Sequence, residues 1–442
     1  MFRRGRNAPQ QVMTLQSVIF YCCDVLRVFA MHLIILEHST QYFMIHHSSS
    51  DLAEIITTEP LLAHASYGHS WLLFLSGVFF TLKVHRMGIS SFRQALIYIK
   101  QRFIRLWPMV ALAHLFPIMS KTRPKLTTFQ YIQQLFFFQN TFPLHLQLHP
   151  PSWCLSVDFQ LHILGLIFIL LGQKFSIKPS MKHFLAMLYI AFIERVMSYI
   201  LSGCSFYFPP SAEYSHLSYF LQFEEWQVIL EKLLHEKIPY VFNLKMLQDN
   251  LCSFEHIYMR STVWIFPFVL GTFGGNTMIQ ELKSERPSFP WLIQTRFLSI
   301  INVILLLDCL RCWHVSSPKY FWRDHQISSI YIAIIMYQFC WSRTHKIEGC
   351  LLKFFRGIIR WISKLTYVSY MFHASIYRSW SISANPLSTT TENHLLFILV
   401  VAPILLIGLI PIHYLIERPC MKLYNGRRRS YQIDILPSKQ KA

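Results

Sequence analysis

Ionisable side chains inside apolar runs stand out first, because hydrocarbon tolerates them only where they pair, line water or do chemistry. One run reads Leu26-Arg27-Val28-Phe29-Ala30-Met31-His32-Leu33-Ile34-Ile35-Leu36-Glu37-His38. Arg27 and His38 stand eleven residues apart. At 100° per residue that is three turns plus about 20°, so both share a helix face, about 16 Å apart along the axis. A snorkelling arginine and an interfacial histidine would leave the same pattern. A second run reads Trp153-Cys154-Leu155-Ser156-Val157-Asp158-Phe159-Gln160-Leu161-His162. A carboxylate beside an imidazole orients it and stabilises its protonated form, which a general base requires. His38 with Asp158 is therefore the candidate catalytic pair. Two plainer roles stay open for Asp158. It favours the first turn of its own helix through the macrodipole, and His162 shares its face at i, i+4.

Three further groups carry chemistry. Arg102 and Arg105 lie at i, i+3 on one helix face, where two guanidinium groups grip a phosphate in bidentate fashion; ordinary positive-inside charge gives the same residues. Leu365-Thr366-Tyr367-Val368-Ser369-Tyr370-Met371-Phe372-His373 places two phenols and an imidazole in one apolar stretch, and these must face protein or water. Ile416-Glu417-Arg418-Pro419 sets a carboxylate at the end of the last run, with Arg418 or another basic residue nearby as the expected partner. No Cys/His set has zinc spacing, so no metal is expected.

The elements that must position these groups are membrane helices. The chain is 53% hydrophobic, 16% aromatic and only 14% charged, against roughly 25% charged in a soluble domain. Apolar runs of about 16 to 22 residues cross a hydrocarbon core about 30 Å thick. They predict an all-α, polytopic transmembrane helix bundle of about ten spans, near 25–45, 68–86, 103–119, 153–172, 183–202, 261–279, 292–310, 327–342, 364–381 and 395–416. With the N-terminus inside, about 28 Lys and Arg fall on cytoplasmic segments and about 10 on outer ones, which predicts N-in, C-in. The expected organisation is a cytoplasmic tail over 1–20, a membrane domain over 21–425 and a basic cytoplasmic tail over 426–442. The membrane domain carries a long acidic outer loop at 203–258.

The net charge of +19 suits basic loops facing anionic lipid. No aromatic–basic module or groove-reading motif points to nucleic acid. The first run is full length and carries Arg27, so it reads as a retained signal anchor. Ten cysteines form no legible framework, although Cys154, Cys204, Cys252, Cys309 and Cys312 fall at or near the outer side, where a disulfide is possible. No internal repeat supports an inverted-repeat transporter.

Taken in order, these segments resemble the acyltransferase 3 family, and within it the branch named "nose resistant to fluoxetine". The likeness runs from about residue 22 to 425. The first span resembles the family's opening helix, whose histidine, here His38, is taken as catalytic. Phe74-Leu75-Ser76-Gly77 resembles its second-span signature. Arg102 and Arg105 match paired arginines thought to contact acyl-CoA. Trp153, Ser156 and Asp158 match a Trp-x-x-Ser-Val-acidic motif, Leu365 through His373 a late segment, and Glu417 with Pro419 the closing one. The resemblance implies O-acyl transfer from cytoplasmic acyl-CoA, as co-substrate, to a hydroxyl acceptor at the outer or lumenal side. Arg27, Arg102, Arg105, Trp153, Ser156, Tyr367, Tyr370 and His373 would then bind substrate, and the membrane would be the plasma membrane or endoplasmic reticulum.

The sequence also departs from the family pattern. Ser70 and Trp71 occupy the region of a usual acid, Leu33 and Glu37 replace a usual Trp and Gly, and Trp264 replaces an Arg. The cysteine-rich N-terminal domain of that branch is not expected in this chain. Two other functions stay in view: a transporter of lipid or small amphiphile using the same cavity without chemistry, and a receptor or scaffold built on loop 203–258.

Overall fold

The computed structural model describes residues 15–44, 67–119, 126–142, 147–174, 189, 193, 264–284, 321–343, 350–383 and 402–420. Every regular element among them is helical. The long helices are α1 (Leu15–Met44), α2 (Tyr67–Met87), α3 (Phe92–Met119), α5 (Trp153–Lys174), α6 (Ile265–Ser284), α7 (Phe321–Arg343) and α8 (Cys350–Ser383). A short helix, α4 (Thr128–Leu135), lies between α3 and α5, and α9 (Ala402–Ile412) runs into a π-helical turn, His413–Glu417. Among the described residues, Leu15–Ile35 and Trp153–Lys174 have the length and apolarity to cross a membrane, with mean hydropathy 2.0 and 2.1.

Local chemistry fixes the α2–α3 corner. Gly88 adopts φ 58°, the left-handed value that ends helices at least cost in glycine. Its N–H donates to the His85 carbonyl at 3.2 Å, and that of Ile89 to the Val84 carbonyl at 3.4 Å, the two bonds of a Schellman stop. The next helix starts on a capping box, with Ser91 N–H donating to Gln94 Oε1 at 3.1 Å and Gln94 N–H to Ser91 Oγ at 3.4 Å. Gln173, near the end of α5, donates to the Ile89 carbonyl at 2.8 Å. The end of α2, the start of α3 and the end of α5 thus meet at one end of the bundle.

Three helices begin at least ten residues earlier than the spans expected from sequence. The span expected from 25 starts at Leu15, that from 103 at Phe92, and that from 364 at Cys350. The added turns of α3 and α8 carry Arg93, Lys100 and Arg102, and Lys353, Arg356 and Arg360. Basic residues lower hydropathy without breaking a helix, so composition ends the span where the backbone does not. The spans expected at 183–202 and 292–310 and the loop 203–258 lie outside the described residues, as do both tails.

The closest helix pair is α2 with α6. A Cβ on Gly77 would stand 2.0 Å from the Phe268 carbonyl oxygen, and one on Gly271 1.9 Å from that of Phe74. Only glycine lets the two backbones approach this far, the small-residue packing that membrane interiors favour. α1 lies along α2 and α8. One buried cluster joins α2, α3, α5, α6 and α8 through Leu73, Phe80, Tyr98, Val157, Phe268 and Val368. A second joins α1, α2 and α7 through Leu26, Leu33, Trp71, Phe74 and Met336.

Candidate active site

Three helices each present a pair of residues four apart: Ser76 and Phe80 on α2, Tyr98 and Arg102 on α3, Asp158 and His162 on α5. Residues at i and i+4 share a helix face. The three faces converge. Arg102 Nη2 donates to Asp158 Oδ2 in an ion pair, and Ser76 donates its hydroxyl to Asp158 Oδ1. Ser76 Oγ also lies 2.8 Å from His162 Nε2, and the other ring nitrogen of His162 lies 2.6 Å from the Tyr98 hydroxyl. Counted at about 1.5 Å per residue from the α2–α3 corner, Ser76, Arg102 and Asp158 stand roughly 15 to 25 Å along their helices. That is the middle of the bundle, where an unpaired charge costs several kcal/mol and pairing is obligatory.

Aromatic rings hold the imidazole still. Phe80 and Phe268 meet His162 edge to face at 5.0 and 5.3 Å, and Tyr98 stacks on it at 5.8 Å. Lys83 lies over the Tyr98 ring at 5.0 Å, a cation–π contact that sets a second positive charge near the cluster.

Ser76, Arg102 and Asp158 open onto a cavity of about 790 Å³, within the usual 300–1,000 Å³ range of small-molecule sites. Its walls are apolar, with Met31, Leu72, Phe79, Leu82, Leu106 and Leu155. Toward the α2–α3 corner it is basic, with Lys83, His85 and Arg86, and Arg105 lines it about one turn deeper along α3 than Arg102. At the far end it meets Cys154, a buried free thiol, and Tyr370.

The structure sorts the residues that the sequence singles out. Arg27, Arg102, Arg105, Asp158, Tyr367 and Tyr370 line this cavity. Trp153, Ser156 and His373 do not: they are buried beside it. Trp153 stacks near His69 at 5.3 Å and Trp264 at 5.9 Å. Ser156 donates back to the Ser152 carbonyl at 3.4 Å, and His373 Nδ1 lies 2.7 Å from the Tyr370 carbonyl oxygen. Tyr367 and Tyr370 commit their hydroxyls to the carbonyls of Leu106 and Pro151, at 2.8 and 2.5 Å, so they are struts first. The side chain of His38 lies outside the described residues. Its backbone belongs to α1, eleven residues beyond Arg27, on the helix face that carries Arg27 and Met31 into the cavity.

Two expectations need correction. Arg102 and Asp158, expected near opposite membrane faces, are an ion pair. α3 begins eleven residues before its predicted span, which draws Arg102 into the bundle, and a long side chain covers the rest. Arg102 is thereby committed to a carboxylate, whereas Arg86 and Arg105 line the cavity as exposed guanidinium groups. Arg27 neither snorkels nor stands alone: it pairs with Asp24 at 3.1 Å and lies over the Phe79 ring at 4.9 Å, and Ser363 on α8 bonds the same carboxylate at 2.9 Å. Glu417 takes the second of its expected alternatives, a nearby basic group other than Arg418: it pairs with His413 at 2.7 Å, while Arg418 lies over Tyr414 at 5.0 Å. Ser76 and Tyr98 are absent from the sequence-based site, although their i+4 pairing with Phe80 and Arg102 is legible once the helices are known. The family departures Ser70 and Trp264 are buried core positions. Among the described residues no group of three His, Cys, Asp or Glu is arranged to hold a metal.

A second polar region lies in the connection from α4 to α5. His114 Nε2 sits 2.9 Å from Gln139 Oε1. Gln139 donates to Gln147 at 3.3 Å and to the His149 carbonyl, and accepts from Ser152. Asn140 and Gln160 exchange bonds of 3.0 and 2.8 Å. These are neutral amides and hydroxyls tying down a loop.

A family profile described as an acyltransferase domain matches residues 20–413. That is most of the chain, which therefore belongs to the acyltransferase 3 family, a family of membrane proteins. No curated protein and no solved structure gives a match. The family assignment suggests acyltransferase activity.

Proposed function

We propose that this protein moves an acyl group from acyl-CoA, bound from the cytoplasm, to a hydroxyl acceptor on the opposite side of the membrane. The observation that carries the reading is the polarity of the cavity: basic at one end, apolar along its walls, and closed by Ser76 and Asp158. Acyl-CoA has the same sequence of properties, an anionic nucleotide, an apolar acyl chain and a reactive thioester between them. With ten spans and both termini inside, the α2–α3 corner is cytoplasmic. Lys83 and Arg86 then meet the phosphates, and the thioester reaches the middle of the bundle. His38, further along the face of α1 that bears Arg27, takes the proton of the acceptor hydroxyl. General-base assistance of this kind contributes roughly 10²–10⁴ in rate. The proposal includes the "nose resistant to fluoxetine"-like branch and leaves acceptor and chain length open.

Arg86→Ala tests donor binding better than Arg102→Ala, because Arg86 stands at the basic end of the cavity and its removal leaves the Arg102–Asp158 pair intact. Acyl-CoA binding to purified protein should weaken about tenfold in Arg86→Ala, the equivalent of about 1.4 kcal/mol. CoA release by His38→Ala at the parent rate would remove His38 from the mechanism. Uptake of a labelled amphiphile with no CoA release would favour the transporter instead.

A further inference from the structure

We infer that Ser76 is a nucleophile that carries the acyl group as a serine ester, with His162 as its base, so that transfer runs in two half-reactions. The inference rests on acyl-CoA being the donor. A serine becomes nucleophilic when a base lies within about 2.6–3.2 Å and a third group orients that base. Here His162 Nε2 lies 2.8 Å from Ser76 Oγ, and the Tyr98 hydroxyl holds the other ring nitrogen at 2.6 Å. The tautomer that serves attack has Nδ1–H donating to the Tyr98 oxygen and Nε2 free to accept.

Burial divides the labour. Ser76 is half-buried and lines the cavity, whereas His162 is buried behind it and does not. Substrate therefore meets the hydroxyl and not the imidazole. At rest the Ser76 hydroxyl donates to Asp158 Oδ1 while Arg102 holds Oδ2; for attack the hydroxyl turns about its C–O bond to His162 Nε2, the stronger base, and Asp158 stays ionised in its pair with Arg102. Asp158 Oδ1 stands 3.5 Å from His162 Nε2, so the imidazolium formed during attack has a carboxylate beside it. Gly77 and Gly271 lock the backbone next to Ser76 against α6, and a fixed nucleophile needs no reorganisation at the moment of reaction.

In the first half-reaction Ser76 Oγ attacks the thioester carbonyl carbon and its proton passes to His162 Nε2. The C–S bond breaks, and the CoA sulfur leaves with that proton as the free thiol. In the second half-reaction the acceptor oxygen attacks the ester carbonyl and the C–Oγ bond breaks. The proton lost by the acceptor hydroxyl is the proton regained by Ser76. The sum is transfer of one acyl group from sulfur to oxygen, with no redox change. A covalent carrier separates the departure of CoA from the arrival of the acceptor, so the two need never occupy the cavity together.

The test uses the full chain in lipid nanodiscs with acyl-CoAs of graded chain length and no acceptor. CoA thiol release and protein mass are followed together. The expected result is a burst of about one CoA per chain, with one acyl group gained on the peptide bearing Ser76 and stable to neutral hydroxylamine. Ser76→Ala should lose burst and adduct. Ser76→Cys should regain the adduct as a hydroxylamine-labile thioester. His162→Gln, which keeps a hydrogen-bonding amide beside Ser76, should slow the burst at least about 100-fold. Binding of a thioether analogue of acyl-CoA, measured on each variant, shows that the fold and donor site persist. Turnover without an adduct, an adduct on Cys154, or an unchanged burst in Ser76→Ala overturns the serine carrier and leaves the donor reading standing. Failure of the parent to bind the analogue overturns both.

Discussion

Two polar regions share this helical bundle, and they are built from different chemistry. The first, around Asp158, uses a carboxylate, a guanidinium, an imidazole and two hydroxyls, and it opens onto a cavity. The second, around Gln139, uses side-chain amides, hydroxyls and the His114 imidazole, which bond one another and the backbone of a connecting segment. Buried neutral groups need only hydrogen bonds, and a loop supplies them at modest cost. A buried ion pair recovers at best about what its desolvation costs, so stability alone gives a weak reason to keep one. The charged region is where function is expected, and the amide region is where fold is secured.

That contrast can be broken from the charged side first. Arg102→Ala should be the most damaging single change, costing about 3–5 kcal/mol because it strands the buried Asp158 carboxylate. Thermal unfolding in detergent should show this, and a paired apolar replacement of Arg102 and Asp158 should recover much of the loss while abolishing activity. Recovery of activity as well would reduce the ion pair to scaffolding. Gln139→Leu should cost about 1–3 kcal/mol through the partners it leaves unbonded, with acyl-CoA affinity unchanged in the folded fraction. A matching fall in affinity would join the two regions that we separate.

The smallest expected effect is on pH dependence. His149, in the connection ahead of α5 and outside the spans, lies well below the ordinary imidazole value of 6.5, because it is buried and then because His114 and His373 are near. Neither of its ring nitrogens has a hydrogen-bond partner among the described residues. The native state keeps His149 neutral where the unfolded chain takes up a proton. Its contribution to stability is therefore complete above about pH 6.5 and is lost as pH falls below it, by at most about 1.4 kcal/mol per unit. Unfolding midpoints measured from pH 7.5 to 5.5 should fall, and fall less in His149→Leu. An equal fall in that variant would assign the effect to other groups.

Several of these elements were legible in the residues. The α2 and α5 boundaries follow hydropathy closely, because their polar positions are few and their ends carry a Gly88 stop and a Trp153 start. Arg27, Arg105 and Asp158 drew notice as charges in apolar surroundings, and all three line the cavity. The starts of α3 and α8 are hidden, because hydropathy detects apolar surface and not backbone continuity; that of α1 is not, since Leu15–Ile35 is itself apolar. Trp153, Ser156 and His373 were placed in the substrate site by motif alone, and burial places them in the packing beside it.

The sequence by itself determined the class of environment and the list of costly groups, since the transfer of apolar area and charge depends on residue type and order along a helix. It also determined which residues share a face, since 3.6 residues per turn is a local property. Which face meets which was decided only in three dimensions. Asp158 had His38 and His162 as possible partners, and the choice of Arg102 and Ser76 followed from how closely glycines let α2 and α6 approach and how far α3 extends. Partnership between distant segments depends on packing distances of a few ångströms, and no spacing within one helix encodes those.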